Sequence, residues 1–203
     1  MKSISPTKLP REFYLRETIH VARDLLGCVL WRRLGRTLLA ARIVEAEAYL
    51  GANDPASHAR RGLRSQRNES MYLEGGHAYV YFTYGMHYCL NVVTQEADIA
   101  EAVLLRAAQP LQGIDSMRKR RPKAKRDVDL MNGPGKLCAA LDIDRRLDGE
   151  PLDGDRLFLT ARDIDAGEIA VSARIGVEGA GEAAHWPLRF YLRGNRFVSG
   201  PRM

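Results

Sequence analysis

The 203-residue chain has an ordinary hydrophobic content of 45%, a formal net charge of +6 and a pI near 9.4. Its length fits one domain with a sizeable core, and the basic balance favours a polyanionic partner such as nucleic acid, although solubility alone also explains it. The three cysteines are far apart and odd in number, which argues against a disulfide framework or a zinc finger and favours a reducing compartment.

Membrane and export signals are not expected in this sequence. Residues 1–6 lack the apolar core of a signal peptide. The longest strongly apolar run, residues 25–31, is too short to span a bilayer. We therefore expect a soluble, intracellular protein with no membrane contact.

A helix and a hairpin are predicted before residue 51. Apolar residues recur at helical spacing over residues 10–26, and Gly27 is a typical C-terminal stop. Residues 28–32 and 37–50 are then predicted to form two strands around a turn at residues 34–36.

The second of these strands alternates strictly and so places two carboxylates on one face. The apolar side consists of Val44, Ala46, Ala48 and Leu50, and the other side of Ile43, Glu45, Glu47 and Tyr49. On an isolated strand such glutamates are most often solvated surface charges. The residues that follow favour a functional interpretation instead.

A polar loop dense in arginine follows at residues 53–68. Its basic side chains suited to phosphate contacts are Arg60, Arg64 and Arg67. His58 lies in the same loop. A lone loop histidine is more often solvated than functional, but its position shortly after Glu47 and Tyr49 favours a role beside them.

An aromatic hairpin is predicted over residues 77–93, with its turn at Gly85. The side chains expected to share one face are Tyr79, Tyr81, His87, Cys89 and Asn91. Tyr84 and Met86 are expected at the tip. Either this tip inserts into a partner, or a neighbouring loop covers it.

Residues 101–107 form a further apolar strand that contains Arg106. Burying an arginine there is costly unless a carboxylate pairs with it, and Glu45 and Glu47 are the candidates. The alternative is an edge strand from which Arg106 extends into water.

The remaining segments alternate in charge and contain two more predicted strands. Residues 118–126 are a basic run, expected to be a mobile solvated loop with nonspecific affinity for phosphates. Lys136 lies near the start of a short helix at residues 137–141, where a phosphate is able to bind. The acidic loop at residues 142–155 lacks calcium-binding spacing. The two strands are predicted near residues 157–159 and 188–192.

Glu47 and Arg106 offer a carboxylate base beside a group that keeps it ionised. Metal ligation is poorly supported because no His or Cys spacing fits it, and no serine or cysteine is convincingly paired with a base. A carboxylate among aromatic rings in a basic protein suits one task, namely gripping an extruded nucleobase and activating water beside it.

Several segments, taken in this order, resemble the alkyladenine (methylpurine, 3-methyladenine) DNA glycosylases across residues 9–199. They are residues 42–51 (RIVEAEAYLG), His58, 79–86 (YVYFTYGM), Asn91, 103–107 (VLLRA), 133–138 (GPGKLC), 174–177 (RIGV) and 187–194 (PLRFYLRG). Each segment alone is a weak signal, but their combination is highly specific. The basic run and the acidic loop match no motif of the family.

The resemblance implies an α+β fold, with a single mixed domain over residues 1–203 built around a curved antiparallel β-sheet. A protruding β-hairpin and no helix-hairpin-helix motif are expected. It also implies a monofunctional enzyme that needs no cofactor, acts as a monomer on double-stranded DNA containing damaged purines, and resides in the cytoplasm or nucleoid. Such an enzyme hydrolyses the N-glycosidic bond of 3-methyladenine, 7-methylguanine, hypoxanthine or ethenoadenine and leaves an abasic site.

The resemblance also implies roles for individual residues. Glu47 corresponds to the base that deprotonates water, Arg106 holds that water and the carboxylate, and a carbonyl near Ile175 helps orient the water. The base-binding residues are Tyr49, His58, Tyr81 and Asn91, the last of which disfavours the guanine 2-amino group. The intercalating residues are Tyr84 and Met86, and the expected backbone contacts are Arg60, Arg64, Arg67 and Lys136. Glu45 remains a structural partner for an arginine.

Two other functions are compatible with parts of this pattern. A non-catalytic module that stacks an extruded base would keep the aromatic hairpin but has no need for Glu47. A hydrolase of free nucleosides is disfavoured by the positive charge and by the exposed position expected for Tyr84.

Overall fold

The computed structural model describes residues 7–162 and 164–200, so the expectation about a signal peptide at residues 1–6 lies outside the described residues. The helices are α1 (Arg11–Tyr14), α2 (Thr18–Asp24), α3 (Ile114–Arg120) and α4 (Pro134–Leu141). The strands are β1 (Val29–Leu34), β2 (Thr37–Tyr49), β3 (Ala78–Thr83), β4 (His87–Thr94), β5 (Glu101–Gln112), β6 (Leu157–Thr160), β7 (Ile169–Ser172) and β8 (Arg189–Leu192). Short 3-10 helices cover Gly51–Asn53, Arg60–Gly62, Glu69–Tyr72, Asp127–Asp129, Arg145–Leu147 and Glu178–His185.

The long strand β2 is the centre of one curled antiparallel sheet. The strand order is β3-β4-β5-β2-β1-β6, and β8 joins β2 on one side and β7 on the other. Irregular pairing of β2 with β5 at Ala40 and at Val44 marks β-bulges, which bend a strand and increase its twist. The expected α+β domain around a curved antiparallel sheet is therefore confirmed.

The bulge at Val44 also interrupts the predicted alternation of β2. Ile43 was expected on the glutamate face, but it belongs to the same apolar core cluster as Val44, Ala46 and Ala48. Beyond the bulge the alternation resumes as predicted.

The predicted helix over residues 10–26 is instead two helices, α1 and α2. The backbone carbonyl of Tyr14 accepts a hydrogen bond from the amide of Gln95, so it is used in a tertiary contact rather than within a helix. Thr18 is buried at the start of α2, where its hydroxyl contacts Thr94 and Glu101. These contacts with distant strands override the local helical pattern. Gly27 follows α2 with φ +87°, which suits a glycine stop.

Both predicted hairpins are confirmed. Leu34 pairs with Thr37 at the end of β1–β2, and Thr83 pairs with His87 at the end of β3–β4. Gly85 lies in the second turn with φ +66°. The two late strands are confirmed as β6 and β8, whereas β7 was not predicted.

Two predictions for the second half of the chain are wrong in detail. The helix expected at residues 137–141 begins at Pro134, which is favoured at a first helical position because its missing N–H has no partner to lose there. The basic run is not simply a solvated loop, because α3 includes its first residues and Arg118 pairs with both Asp115 and Asp127.

The helices cover the sheet without forming a bundle. α2 packs on β2, and α4 packs on β4 and β5. No helix-hairpin-helix motif occurs within residues 7–162 and 164–200. No helix in these ranges combines the length and apolar character needed to cross a bilayer.

Candidate active site

One row across the sheet brings together residues from five strands, in the order β3, β4, β5, β2 and β8. Tyr79 pairs with Asn91, Asn91 with Leu104, and Leu104 with Glu47, which in turn pairs with Arg189. Because side chains alternate with a period of two, the neighbours two residues away lie on the same face. The sheet register therefore places the polar and aromatic residues of several strands around one point.

A cavity of about 360 Å³ opens at this point. Six of the predicted site residues line it, namely Tyr49, His58, Tyr81, Tyr84, Asn91 and Arg106. Tyr79, Leu104 and the loop residues Ile175, Gly176 and Val177 complete much of its wall. Met86 and the four predicted backbone-contacting residues lie outside the cavity on the surface. Glu47 does not line it either, because its side chain is fully buried.

Glu47 is fully buried next to this cavity and has three hydrogen-bond donors. Tyr49 donates its hydroxyl to Oε2 at 3.0 Å, and Nη1 of Arg106 contacts the same oxygen at 3.3 Å. The backbone N–H of Ile175 donates to Oε1 at 2.8 Å. This contact is made by the amide of Ile175, and the expected role of a carbonyl near Ile175 in orienting the water stays a prediction.

Burial raises the pKa of Glu47, although Arg106 and the donors from Ile175 and Tyr49 oppose the shift. Glu45 raises it further. A carboxylate with a raised pKa is a stronger base once ionised, which is a common property of catalytic acids and bases. Burial also raises the pKa of Tyr49, so its hydroxyl stays protonated and acts as a donor.

Glu45 is held differently from Glu47, although both lie on the same strand. Its carboxylate accepts from Nε of Arg106 at 2.9 Å and from Nε of Arg189 at 2.7 Å. The amide and hydroxyl of Ser199 donate to it at 2.6 and 2.9 Å. Four donors surround this carboxylate, so Glu45 holds its neighbours in place. This confirms both the structural role expected for Glu45 and its pairing with Arg106.

Aromatic rings form the opposite side of the cavity. The rings of His58 and Tyr81 meet edge to face with centroids 4.5 Å apart, and those of Tyr79 and Tyr81 are 5.4 Å apart. Nδ1 of His58 is hydrogen-bonded to the hydroxyl of Tyr79 at 2.7 Å. Tyr79 was predicted on this face but not as a site residue. The hairpin alternation was the signal that marked it.

Burial lowers the pKa of His58 to about 4, and the nearby cations Arg67 and Arg60 lower it further. The imidazole is therefore neutral at physiological pH. Arg60 and Arg67 are exposed on the loop beside it, which is consistent with contacts to a polyanion.

Asn91 is buried in the wall formed by β4. Its side-chain amide donates to the backbone carbonyl of Tyr79 at 3.1 Å. This bond fixes the orientation of the side chain, so Asn91 presents a defined polar group to the cavity.

The tip of the β3–β4 hairpin projects from the mouth of the cavity. Tyr84 is 81% exposed and Met86 70% exposed. Among the described residues no loop covers them, so the alternative of a covered tip is wrong. Tyr84 has φ +51°, an uncommon backbone conformation for a bulky residue that is often associated with functional positions.

Two of the predicted backbone-contacting residues are engaged within the protein. The guanidinium of Arg64 is paired with Glu69 at 2.5 Å and with Asp98 at 2.7 Å. Nζ of Lys136 is bonded to the side-chain oxygen of Asn132 at 2.8 Å. Both basic residues are exposed, and their contact with a polyanion stays a prediction.

A buried ion pair behind the cavity was not predicted. Arg174 and Asp54 are both fully buried, and Nη2 of Arg174 lies 2.8 Å from Oδ1 of Asp54. The guanidinium carbon also lies 4.7 Å from the ring centre of Tyr49. Arg174 belongs to the segment at residues 174–177, but the sequence carried no sign of its partner 120 residues earlier.

No group of three or more potential metal-ligating side chains is found in the part of the chain that the structure describes. The groups gathered at the site are Glu47, Arg106, the tyrosines and the backbone amide of Ile175. These groups suit base catalysis on a ligand with a flat ring.

Comparison with known proteins matches nearly the whole chain. The model of the methylpurine-DNA glycosylase family matches residues 12–196. A relative from Bdellovibrio bacteriovorus is 48% identical over 195 residues, covering 94% of this chain and 98% of the relative. A relative from Carboxydothermus hydrogenoformans is 49% identical, with coverage of 94% and 98%, and one from Clostridium acetobutylicum is 44% identical, with coverage of 95% and 97%. All three are provisionally named 3-methyladenine DNA glycosylase.

Proposed function

Because this chain belongs to the methylpurine-DNA glycosylase family, we propose that it removes alkylated or deaminated purines from double-stranded DNA. It would hydrolyse the N-glycosidic bond and leave an abasic site, acting as a monomer. The observation that supports this most strongly is the fully buried Glu47 beside an aromatic cavity. Burying a charge is costly, so a module that only binds bases has little reason to keep a carboxylate there.

The cavity suits an extruded purine. Enzymes that act on bases must flip the nucleotide out of the duplex at a cost of a few kcal/mol. Stacking on aromatic rings returns about 1–3 kcal/mol per base, and the rings available are those of Tyr49, His58 and Tyr81. Because His58 is neutral, it does not repel a purine that alkylation has made cationic.

Glu47 would act as the general base in the bond-breaking step. It takes a proton from water, whose oxygen forms a bond to C1′ of the sugar. The N-glycosidic bond breaks and its electron pair leaves with the purine. An N3- or N7-alkylated purine departs as a neutral base because it was cationic, so it needs little acid assistance. Arg106 keeps Glu47 oriented through a contact at 3.3 Å.

A base-release assay tests this proposal. Duplexes containing 3-methyladenine, 7-methylguanine, hypoxanthine or ethenoadenine would be incubated with the protein, and the free base and the abasic site measured. The corresponding free nucleosides serve as the comparison. We expect release from duplex DNA. Binding without release from any lesion would favour the non-catalytic module, and preferential cleavage of free nucleosides would favour a nucleoside hydrolase.

The pH profile of base release is expected to report on Glu47. The raised pKa means that the carboxylate is ionised only above a pH higher than the usual glutamate value of 4.5. Activity on a cationic alkylated base should therefore be present above that pKa and be lost as the pH falls through it. The measurement is kcat/KM against pH, with circular dichroism to show that the protein stays folded. A midpoint at or below 4.5 would contradict the shift.

Replacing Tyr84 with Ser is expected to weaken binding to a lesion-containing duplex by about 5- to 150-fold, because a stacked ring contributes about 1–3 kcal/mol. Tyr84→Phe keeps the ring and is the matched control, which should bind like the wild type. The measurement is fluorescence anisotropy at a fixed salt concentration, since phosphate contacts make affinity salt-dependent. Equal affinity of the Ser variant and the wild type would remove Tyr84 from the intercalating role.

A further inference from the structure

The buried side chain of Arg174 makes four hydrogen bonds behind the cavity. Its guanidinium binds both carboxylate oxygens of Asp54 and also donates to the backbone carbonyls of Ala48 at 3.0 Å and Ala183 at 3.3 Å. It thus joins the end of β2, the loop after it and the loop at residues 178–185.

Asp54 organises the loop that carries one wall of the cavity. Its carboxylate accepts from the amides of Leu50 at 3.1 Å and Ala56 at 3.0 Å. Its backbone carbonyl accepts from the amide of Ser57 at 2.9 Å. Ala56 and the following His58 both line the cavity, so the position of this wall depends on Asp54.

Arg174 contacts one functional part of the site directly and precedes the other in the chain. Its guanidinium carbon lies 4.7 Å from the ring centre of Tyr49, one of the rings available for stacking. The residue after it, Ile175, donates its amide to Glu47 at 2.8 Å. A displacement of Arg174 therefore moves a stacking ring and a donor to the base together.

We propose that the Arg174–Asp54 ion pair is a positioning device that sets the Tyr49 ring and the Ile175 amide relative to Glu47, so that base stacking and water activation depend on one buried contact. This inference rests on the proposed function. Neither residue touches the reacting atoms in this scheme, and both act through their neighbours.

A purely stabilising role explains the pair less well. Buried ion pairs contribute little net stability compared with well-packed apolar residues, because removing two charges from water is costly. Nε of Arg174 is moreover buried without a hydrogen-bond partner among the described residues, which adds a further cost. A guanidinium retained at this cost is explained if its forked geometry is needed to position the Tyr49 ring and the Ile175 amide.

The pKa of Glu47 distinguishes the two roles. A role limited to stability would leave this pKa unchanged, whereas a positioning role would not. The charged and titratable groups near it are Arg106 on β5, Glu45 and Tyr49 on β2, Tyr81 on β3 and Cys89 on β4, while Arg189 on β8 is engaged with Glu45. Among these groups Arg174 contacts Tyr49, whose hydroxyl also donates to Glu47 and favours its ionised form. Loss of the Ile175 amide bond alone raises the pKa of Glu47, because that bond favours the ionised carboxylate.

The test compares Arg174→Lys and Asp54→Asn with the control Arg32→Lys. Arg32 is also a mostly buried arginine bonded to backbone carbonyls, but it lies on β1 and does not line the cavity. Lysine cannot reproduce the forked contacts of Arg174, and asparagine preserves the shape of Asp54 while removing its charge. Kinetics on an alkylated duplex, pH profiles and thermal melts would be measured for each.

For both test variants we expect kcat/KM to fall by about 10²-fold, because misplacing a catalytic or substrate-binding group by about 1 Å typically costs that much in rate. KM should rise because Tyr49 is displaced, and the acidic midpoint should move up by about one pH unit, the effect of losing one hydrogen bond to the carboxylate. Arg32→Lys should lower Tm without changing KM or the midpoint.

The outcomes separate this inference from the proposed function. A wild-type protein that releases no base refutes the proposed function itself. If the wild type is active but Arg174→Lys and Asp54→Asn change only Tm, as Arg32→Lys does, the positioning role alone is refuted. Complete unfolding of both variants would likewise overturn it, since the pair would then be required for stability.

Discussion

Glu47→Gln is expected to lower single-turnover base release by about 10²–10⁴-fold while the variant still binds a lesion-containing duplex. The amide has nearly the same shape as the carboxylate but cannot accept a proton from water at neutral pH. The aromatic cavity and the hairpin tip are unchanged, so affinity should persist. The measurement is release of an alkylated base under enzyme excess, together with anisotropy binding.

The stability of Glu47→Gln should not fall. Because the pKa of Glu47 is raised in the folded state, the folded protein binds more protons than the unfolded chain between the two pKa values. Stability therefore decreases as the pH rises through that window, and the ionised carboxylate is a cost at neutral pH. Glutamine removes that cost, while Arg106 keeps its contact with Glu45.

Glu12→Gln is the matched control, since Glu12 is exposed on α1 and does not line the cavity. It should retain full base release. Undiminished release by Glu47→Gln would remove Glu47 from the role of general base. A drop of equal size in both variants would point to a defect in the preparations rather than in the site.

Glu45→Ala is expected to lower the free energy of unfolding by about 3–5 kcal/mol, the usual cost of removing one partner from a buried ion pair. The carboxylate of Glu45 accepts from Arg106, Arg189 and Ser199, and all three residues are largely buried. Alanine leaves two guanidinium groups without this partner. Urea denaturation measures the effect.

Glu47→Gln on the same strand is the control for Glu45→Ala. Both positions are fully buried and two residues apart. We expect a strong loss of stability in the Glu45 variant and none in the Glu47 variant. This result would show that Glu45 stabilises the fold and that Glu47 is retained for chemistry. A change of less than about 1 kcal/mol in the Glu45 variant would contradict the view of Glu45 as the anchor, because removing one partner of a buried ion pair usually costs about 3–5 kcal/mol.

Local patterns in the sequence predicted much of this arrangement. Alternation placed Glu45, Glu47 and Tyr49 on one face, and the isolated Arg106 in an apolar strand pointed to a carboxylate partner. The glycine turn correctly predicted that Tyr84 and Met86 lie at the hairpin tip, whereas it left open whether a loop covers them. Each of these signals depends on neighbours within a few residues, where strand periodicity and turn chemistry act directly.

Contacts between distant segments were not predictable. Arg189 and Ser199 reach Glu45 across 144 and 154 residues, and no local pattern identifies such partners. The break between α1 and α2 has the same origin, since the carbonyl of Tyr14 accepts a hydrogen bond from the amide of Gln95, which directly follows β4. Tertiary hydrogen bonds overrode helical periodicity there.

The long separations around Glu45 also bear on how the protein acquires its activity. Contacts between residues far apart in the chain form late, because closing large loops costs entropy before the contacts compensate for it. Glu45 holds Arg106 in its final position only after it has formed its hydrogen bonds with Arg189 and Ser199. Recovery of catalysis during refolding should therefore lag behind the return of β-sheet signal, so that enzymatic activity reports on the last step of folding.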